Sequence, residues 1–341
     1  MSTVKKPKFS PGSKQGGTQP KFSLGSKQGD TITLPACHGM GETVHVFDDR
    51  SIAAVEAAMA TGRPLLVRGE PGTGKSQLAR AVAAKLGRAL VVHVVDGRTE
   101  TRDLHWTVDT VRRLAEAQVM AALQGADPTK VAAHIALKRF VHPGALWWAF
   151  DWGSAAAQAA AAGVEEAPED DALGRAKGVV LLVDEIDKAD VSVPNGLLDA
   201  LGHGRFQTPF GTVVSVDRER PPLVVITTNE ERTLPDAFLR RCLVLQFEVP
   251  ANAKALEELL VARGRAHFKK CSDAVLLAAA AMLIKDRAEL RDRDLSPPGV
   301  AEYIDLLNVV TAQYDDEGQQ LALLERVKDF ALQKHPRELD S

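Results

Sequence analysis

The stretch "GEPGTGKS", Gly69–Ser76, follows the apolar residues 64–67 and precedes an amphipathic segment, 77–86. It matches the pattern G-x-x-x-x-G-K-[ST] in full, with a strand expected before it and a helix after it, as in phosphate-binding loops. Its glycines allow the backbone N–H groups to turn toward phosphate oxygens, which side chains would block. The sequence therefore predicts a nucleotide phosphate site, and a glycine-rich turn without a ligand is the alternative.

The helix after this loop would point its positive N-terminal end at the phosphates. In this pattern Lys75 reaches the β- and γ-phosphates, and the Ser76 hydroxyl is a ligand of Mg²⁺. We therefore expect ATP and Mg²⁺ as cofactors. The expected nucleotide-binding set is Gly69, Glu70, Pro71, Gly72, Thr73, Gly74, Lys75, Ser76 and Gln77.

A second motif, "GVVLLVDE" at 178–185, is an apolar run that ends in two carboxylates. Such a run is typical of a strand buried on both faces in a parallel sheet. Asp184 at the strand end suits a direct or water-mediated Mg²⁺ ligand, and Glu185 suits a general base for the attacking water. The alternative is a helix N-terminus, where acidic residues are favoured in any case.

A third apolar run, "LVVITTN" at 223–229, ends in Asn229, whose amide would orient the attacking water unless it serves only a turn. In "LPDAFLRRCLVLQF", 234–247, two adjacent arginines follow a short predicted helix. Arg240 and Arg241 either form surface ion pairs or supply an arginine finger to the nucleotide of a neighbouring subunit.

The order of these patterns predicts the architecture. Strands alternate with helices over 31–250, which predicts a doubly wound α/β domain, and only helical patterns follow over 251–341, which predicts an all-α second domain. Residues 1–30 contain the near-repeat "PKFSPGSKQG", 7–16, and "PKFSLGSKQG", 20–29. Their composition predicts a disordered tail, with a basic arm for an acidic partner or nucleic acid as the alternative.

Composition and charge narrow the function class. The chain of 341 residues has a formal net charge of -3; residues 1–30 hold six Lys and one acidic residue, a net +5, so the remaining residues account for -8. That makes nucleic acid an unlikely partner.

Three dispersed cysteines fit a reducing compartment, and the longest apolar run, 274–284, is too short for a membrane span. We therefore expect a cytoplasmic protein.

With these elements in this order, the chain resembles the AAA+ ATPases, and more closely their MoxR branch, over about residues 40–310. "GEPGTGKS" is similar to Walker A, "VVLLVDEIDKAD" to Walker B, and Asn229 to sensor 1. "LPDAFLRRC" resembles the arginine-finger segment, in which Arg241 would be the finger and Arg240 the second choice. "RFVHPGALWWAF", 139–150, resembles the insert before Walker B, and 204–230 resembles the hairpin that leads into sensor 1.

The resemblance implies an AAA+ P-loop parallel sheet flanked by helices, with a C-terminal helical lid and a nucleotide site between subunits. It also implies a homo-oligomeric, usually hexameric ring that remodels or activates a protein client in a chaperone-like manner, with a von Willebrand factor A-domain protein as a possible partner. A nucleic-acid motor or loader and a nucleotide-gated scaffold are the alternatives.

One segment departs from the family pattern. The lid helix near 295–307 lacks the basic residue that related branches place at its start as sensor 2, and Arg291 and Arg293 are the nearest substitutes. Two aromatic groups also have open roles. We expect Trp147, Trp148, Phe150 and Trp152 to pack in a core or an interface. Phe206 and Phe210 either pack likewise or face a ring pore.

Overall fold

The computed structural model describes residues 22–331 apart from 38, 123–126, 165–175, 294 and 296. The strands, in chain order, are β1 (Thr31–Leu34), β2 (Thr43–Val46), β3 (Leu65–Gly69), β4 (Ala89–Val94), β5 (Trp106–Val108), β6 (Val141–Pro143), β7 (Val179–Asp184), β8 (Arg205–Gln207), β9 (Val213–Ser215), β10 (Leu223–Thr228) and β11 (Leu243–Phe247). The helices up to the end of the sheet are α1 (Asp49–Thr61), α2 (Lys75–Leu86), α3 (Thr101–His105), α4 (Thr110–Ala122), α5 (Pro128–His134), α6 (Ala145–Phe150), α7 (Trp152–Ala162), α8 (Ser192–His203) and α9 (Asp236–Leu239).

Five parallel strands form the central sheet in the order β11–β3–β10–β7–β4. The three inner strands are apolar along most of their length, and their side chains are buried on both faces of the sheet. One hydrophobic cluster covers each face. The predicted α/β fold with a parallel sheet flanked by helices is confirmed. All five strands direct their carboxyl ends to the same edge, where ligands bind in open α/β sheets.

The described part of the expected N-terminal tail is packed against this domain, contrary to the prediction of disorder there. Leu24 is buried in the cluster around β3, and its backbone N–H donates to Glu56 Oε1 at 2.9 Å. The Gly29 N–H donates to the Phe47 carbonyl at 2.8 Å. Burial of the Leu24 side chain in this cluster holds the otherwise polar segment against the domain. Residues 1–21, with the first repeat copy, lie outside the described residues.

Two antiparallel strand pairs lie outside the central sheet on the C-terminal side of β4 in the sequence. In the pair β5–β6, helices α4 and α5 lie between the two strands in sequence, whereas β8–β9 is a hairpin that precedes β10. The Phe206 ring stacks on His105 with centroids 4.6 Å apart and is buried, so of the two alternatives for Phe206 the structure shows packing on the core. Phe210, at the hairpin turn, is half-buried against Trp147. The expected packing of Trp147, Trp148 and Phe150 is confirmed, and Trp152 packs against Trp148.

The C-terminal part consists of α10 (Ala253–His267), α11 (Asp273–Asp292), α12 (Val300–Gln313) and α13 (Glu317–Ala331), which share a core of their own. Gly264 sets the spacing of three of these helices. A Cβ at this position would lie 2.7 Å from Leu276 Cδ2 and from Tyr303 Oη. None of the described helices has the length and apolar content needed to cross a bilayer.

Candidate functional site

The phosphate-binding motif forms the turn between β3 and α2. Gly74 precedes the helix with φ 97°, and Gly69 ends the strand with φ 147°. A Cβ on Gly69 would lie 2.5 Å from the Phe247 carbonyl oxygen, and one on Gly72 would lie 2.7 Å from Ala301 Cβ. These glycines therefore let the loop fit between β11 and the first turn of α12, in addition to keeping its backbone open to an anion.

Lys75 lies in the first turn of α2 with its side chain under the loop. Its Nζ donates to the carbonyls of Gly69 and Glu70, each at 2.8 Å. Burial lowers the pKa of Lys75, and nearby carboxylates, Asp184 foremost, oppose that change. The ammonium group is thus placed by backbone contacts where the motif requires a phosphate-binding cation.

Ser76 and Asp184 meet across 108 residues of sequence. The Ser76 hydroxyl donates to Asp184 Oδ1 at 2.7 Å, and Asp184 also accepts from the Thr227 hydroxyl. These oxygens suit Mg²⁺, which takes one or two protein carboxylates together with substrate phosphates. The described residues contain no group of three or more His, Cys, Asp or Glu side chains that could hold a metal unaided.

Glu185 follows Asp184 in the left-handed region, with φ 59°, which is costly for a side chain of this size. Its N–H donates to the Thr227 hydroxyl at 2.9 Å. The Asn229 amide donates to Glu185 Oε1 at 3.1 Å, and Lys188 Nζ donates to Oε2 at 2.5 Å. The predicted base and the predicted water-orienting amide are therefore in direct contact.

Two residues of this network were not anticipated. Asp187 is buried, and its carboxylate accepts from the backbone N–H of Asn229 at 3.4 Å and of Glu231 at 2.9 Å, so it holds the loop after β10. Lys188 neutralises the carboxylate of Glu185. In the sequence, both residues belong to "IDK", which directly follows the two acidic residues. This segment forms a short 3₁₀ turn, Ile186–Lys188, that brings the side chains of Asp187 and Lys188 back toward the strand ends.

Two arginines of α11 contact the loop at Glu70: Arg291, which the sequence suggested, and Arg287, which it did not. Arg287 is buried in α11, and its Nη2 donates to both carboxylate oxygens of Glu70, at 2.8 and 3.1 Å. Its Nη1 donates to the Pro298 carbonyl at 2.6 Å. Arg291 Nη2 lies farther away, 3.6 Å from Glu70. Arg293 forms no ion pair within the described residues.

A cleft of about 690 Å³ opens beside these groups. The loop and the strand ends form its floor, and segment 40–44 forms one wall. The lid contributes the lining residues Arg263, His267, Phe268, Val300, Ala301, Ile304, Asp305 and Asn308. The cleft can therefore hold a nucleotide between the two parts of the chain, with its phosphates at Lys75.

Arg240 and Arg241 lie elsewhere. They follow α9 at the amino end of β11, on the edge of the sheet opposite the phosphate loop, and both are exposed. Neither forms an ion pair with any described residue. The structure thus gathers Lys75, Asp184 and Asn229 with the other predicted groups, but leaves the two arginines outside the cleft of their own chain.

Similar solved structures include a provisionally assigned ATPase of Cytophaga hutchinsonii ATCC 33406, at 15% identity and a TM-score of 0.35 over 83% of this chain and 79% of that one. The Thermotoga maritima RuvB Holliday junction branch migration motor matches at 19% identity and 0.37, over 82% and 67%. No curated protein sequence matches this chain.

Residues 64–242, more than half of the chain, match the AAA domain family, dynein-related subfamily. The matched range begins at the strand before the phosphate loop and ends just after Arg241. It includes Asp184, Glu185 and Asn229. The chain belongs to this family of AAA+ ATPases.

Proposed function

We propose that this protein is a Mg²⁺-dependent, MoxR-like ATP hydrolase that works as an oligomeric ring of six subunits, as the resemblance implies, to remodel or activate a protein client. The observation that carries this proposal is the convergence of Ser76, Asp184, Glu185 and Asn229 beside the phosphate loop. A von Willebrand factor A-domain protein is the proposed partner type. Three free cysteines agree with a reducing cytoplasm.

Each residue of the cluster has a task in phosphoryl transfer to water. Lys75 and the loop N–H groups would hold the phosphates, while Ser76 and Asp184 would hold Mg²⁺, which supplies charge neutralisation when bound. Glu185 would accept the proton of the attacking water, with the Asn229 amide fixing the carboxylate. Lys188 donates to the other carboxylate oxygen, and each oxygen keeps a lone pair that could accept a hydrogen bond from the water.

Arg240 and Arg241 cannot reach the nucleotide site of their own chain. Strand β3 separates Arg241 from the phosphate loop, and at about 3.3 Å per residue its five residues span roughly 13 Å between the end Cα atoms. An arginine side chain does not bridge that length to the loop beyond it. Arg241, with Arg240 as the second candidate, therefore serves the nucleotide of a neighbouring copy.

The test is ATP turnover per subunit against protein concentration at fixed Mg²⁺. We expect a rate that rises and then saturates as copies assemble and complete each other's sites. Glu185→Gln provides the background, because it should bind ATP without turnover. A flat, appreciable rate at all concentrations would mean that each chain holds a complete site, and the ring mechanism would be abandoned.

A further inference from the structure

We propose that Arg63 is a positioning residue that aims Arg240 and Arg241 at the nucleotide of the neighbouring copy. The inference rests on the proposed function, since it concerns how the trans arginines are presented. Arg63 lies two residues before β3, outside the phosphate-loop motif and just before the first residue of the family match.

The guanidinium of Arg63 contacts three consecutive backbone carbonyls. Its Nε donates to the Arg241 carbonyl at 3.1 Å, and its Nη2 donates to the Cys242 carbonyl at 3.0 Å and to the Arg240 carbonyl. The last carbonyls after a helix have no partner within it, and cationic side chains are favoured there. Arg63 therefore fixes the backbone from which both finger side chains project.

Arg63 is itself anchored on both sides. Gly62 ends α1 in the left-handed conformation, with its N–H bonded to the Ala58 carbonyl at 2.9 Å. Pro64 follows, its φ restricted by its ring, and its carbonyl accepts from the Leu243 N–H at 2.8 Å. The arginine that holds the finger segment is thus joined directly to the strand that carries the phosphate loop.

The positive charges of Arg63, Arg240 and Arg241 indicate that Arg63 does more than cap the carbonyls after α9. Arg240 and Arg241, whose carbonyls Arg63 contacts, are both exposed, and neither has an acidic partner in the described part of the chain. A neutral or single-donor cap would hold the turn without adding like charge. A concentrated cationic edge is useful when an anion of high charge, such as a nucleotide triphosphate on another copy, approaches it.

The contact also depends on the shape of the arginine side chain. A guanidinium presents its donors in a planar fork that reaches several acceptors at once, whereas a lysine ammonium is a compact point charge on a flexible stem. Arg63→Lys should therefore keep the charge and lose the fixed geometry. Arg63→Gln should lose both.

The first experiment measures kcat and KM for ATP, together with binding of a fluorescent ATP analogue, at a concentration where turnover per subunit has saturated. We expect Arg63→Gln to lower kcat by about 10- to 100-fold, because displacements of about 1 Å cost on that order. The affinity for the nucleotide analogue should change less than about twofold. The kcat of Arg63→Lys should lie between those of Arg63→Gln and the unaltered protein. Arg50→Gln, an exposed arginine at the other end of α1, is the matched control and should match the unaltered protein.

The second experiment mixes Arg63→Gln with Glu185→Gln subunits. The first protein has intact nucleotide sites and misplaced fingers, and the second has inactive sites and intact fingers. We expect the mixture to exceed the summed turnover of the two proteins alone. If Arg63 only supported its own subunit's fold or site, mixing would restore nothing, and the inference would be overturned. Where Arg63→Gln fails to fold, Arg63→Lys takes its place.

The double variant Arg240→Ala, Arg241→Ala separates the two levels of the proposal. Full turnover in this variant would show that neither arginine acts on a neighbouring nucleotide. Both the ring mechanism and the role of Arg63 would then be overturned. Loss of turnover in the double variant with unchanged kcat in both Arg63 variants would overturn the role of Arg63 alone.

Discussion

At the scale of single residues, Glu185 is the proposed general base. Its carboxylate contacts the amide of Asn229 and the ammonium of Lys188, and its backbone is held by the Thr227 hydroxyl. We expect Glu185→Gln to lower kcat by about 10²- to 10⁴-fold, the usual value of a general base, with ATP binding retained. Steady-state turnover and equilibrium nucleotide binding check this.

The matched control for that substitution is Glu219→Gln, at an exposed position remote from the cleft, which should turn over ATP at the unaltered rate. Appreciable turnover by Glu185→Gln would assign the base to another group.

His45 makes a separate prediction about pH. Its ring is buried against Phe47, both ring nitrogens lack a partner within the described residues, and burial together with Arg263 lowers the pKa of His45 to about 3. The unfolded chain, with a histidine pKa near 6.5, therefore binds a proton that the folded chain does not. Stability is retained above about pH 6.5 and falls as the pH drops below it.

Between pH 7.5 and 5.5 this one histidine should cost about 1.4 kcal/mol of unfolding free energy. The variant His45→Leu should therefore lose about 1.4 kcal/mol less unfolding free energy than the unaltered protein over that pH range, as measured by urea unfolding. An equal loss in both proteins would show that His45 is protonated in the folded state or accessible to water.

At the scale of elements, the lid meets the phosphate loop through the pair of Glu70 and Arg287. Arg287 is 2% exposed, so removing its partner leaves a buried charge with fewer acceptors. Glu70→Ala should destabilise the protein by about 1–3 kcal/mol, since Glu70 itself is partly exposed. Hydrogen exchange of α11 should also speed up, because this helix loses a contact with the sheet domain.

Glu258→Ala is the control, at an exposed position of α10, and should change neither quantity. Unaltered exchange in α11 after Glu70→Ala would mean that the lid is held by apolar packing alone.

The same contact shows where sequence reasoning ends. The apolar run before Asp184 predicted strand β7, and the phosphate-loop motif predicted β3 and α2. Because parallel strands have their carboxyl ends at the same edge of a sheet, the sequence also predicted that Asp184 lies close to Lys75. Arg287 lies one helical turn before Arg291, the residue proposed from sequence, and on the same face of α11. Both arginines reach Glu70, Arg287 at 2.8 Å and Arg291 at 3.6 Å, and which of them lies closer depends on how the lid docks, which no local sequence pattern shows.

Phe206 and Leu24 illustrate the same limit. An aromatic residue in a hairpin and a leucine in a polar tail have the local signature of exposure. Their burial depends on the His105 ring and on the groove beside Glu56, both distant in sequence. The contacts of Asp187 and of Arg63 likewise join residues far apart in the chain, 42 or more positions.

At the scale of the whole molecule, the proposed assembly makes a quantitative prediction. A site should turn over only when it has its own Glu185 and a neighbour with intact fingers. In random mixtures with a variant that lacks Glu185, Arg240 and Arg241 together, turnover should follow the square of the unaltered fraction. At equal proportions about one quarter of the rate should remain, because each active site draws on two copies.

Mixing with Glu185→Gln alone should instead leave about one half of the rate, since those subunits still supply arginines to their neighbours. The two mixtures differ only in the arginine pair, so each is the control for the other. A linear decline in both would mean that subunits work independently.

The placement of the phosphate loop and of Arg63 at opposite ends of β3 has a consequence for symmetry. In the proposed assembly the edge that carries Arg240 and Arg241 contacts the nucleotide cleft of the next copy. Because these are two different surfaces, the contact would be head-to-tail and no two-fold axis would relate the two copies. Such contacts either close on themselves or continue as a screw, and the angle between neighbours decides which. An odd number of copies can then close as readily as an even one, and a slight change of that angle opens the circle into a spiral.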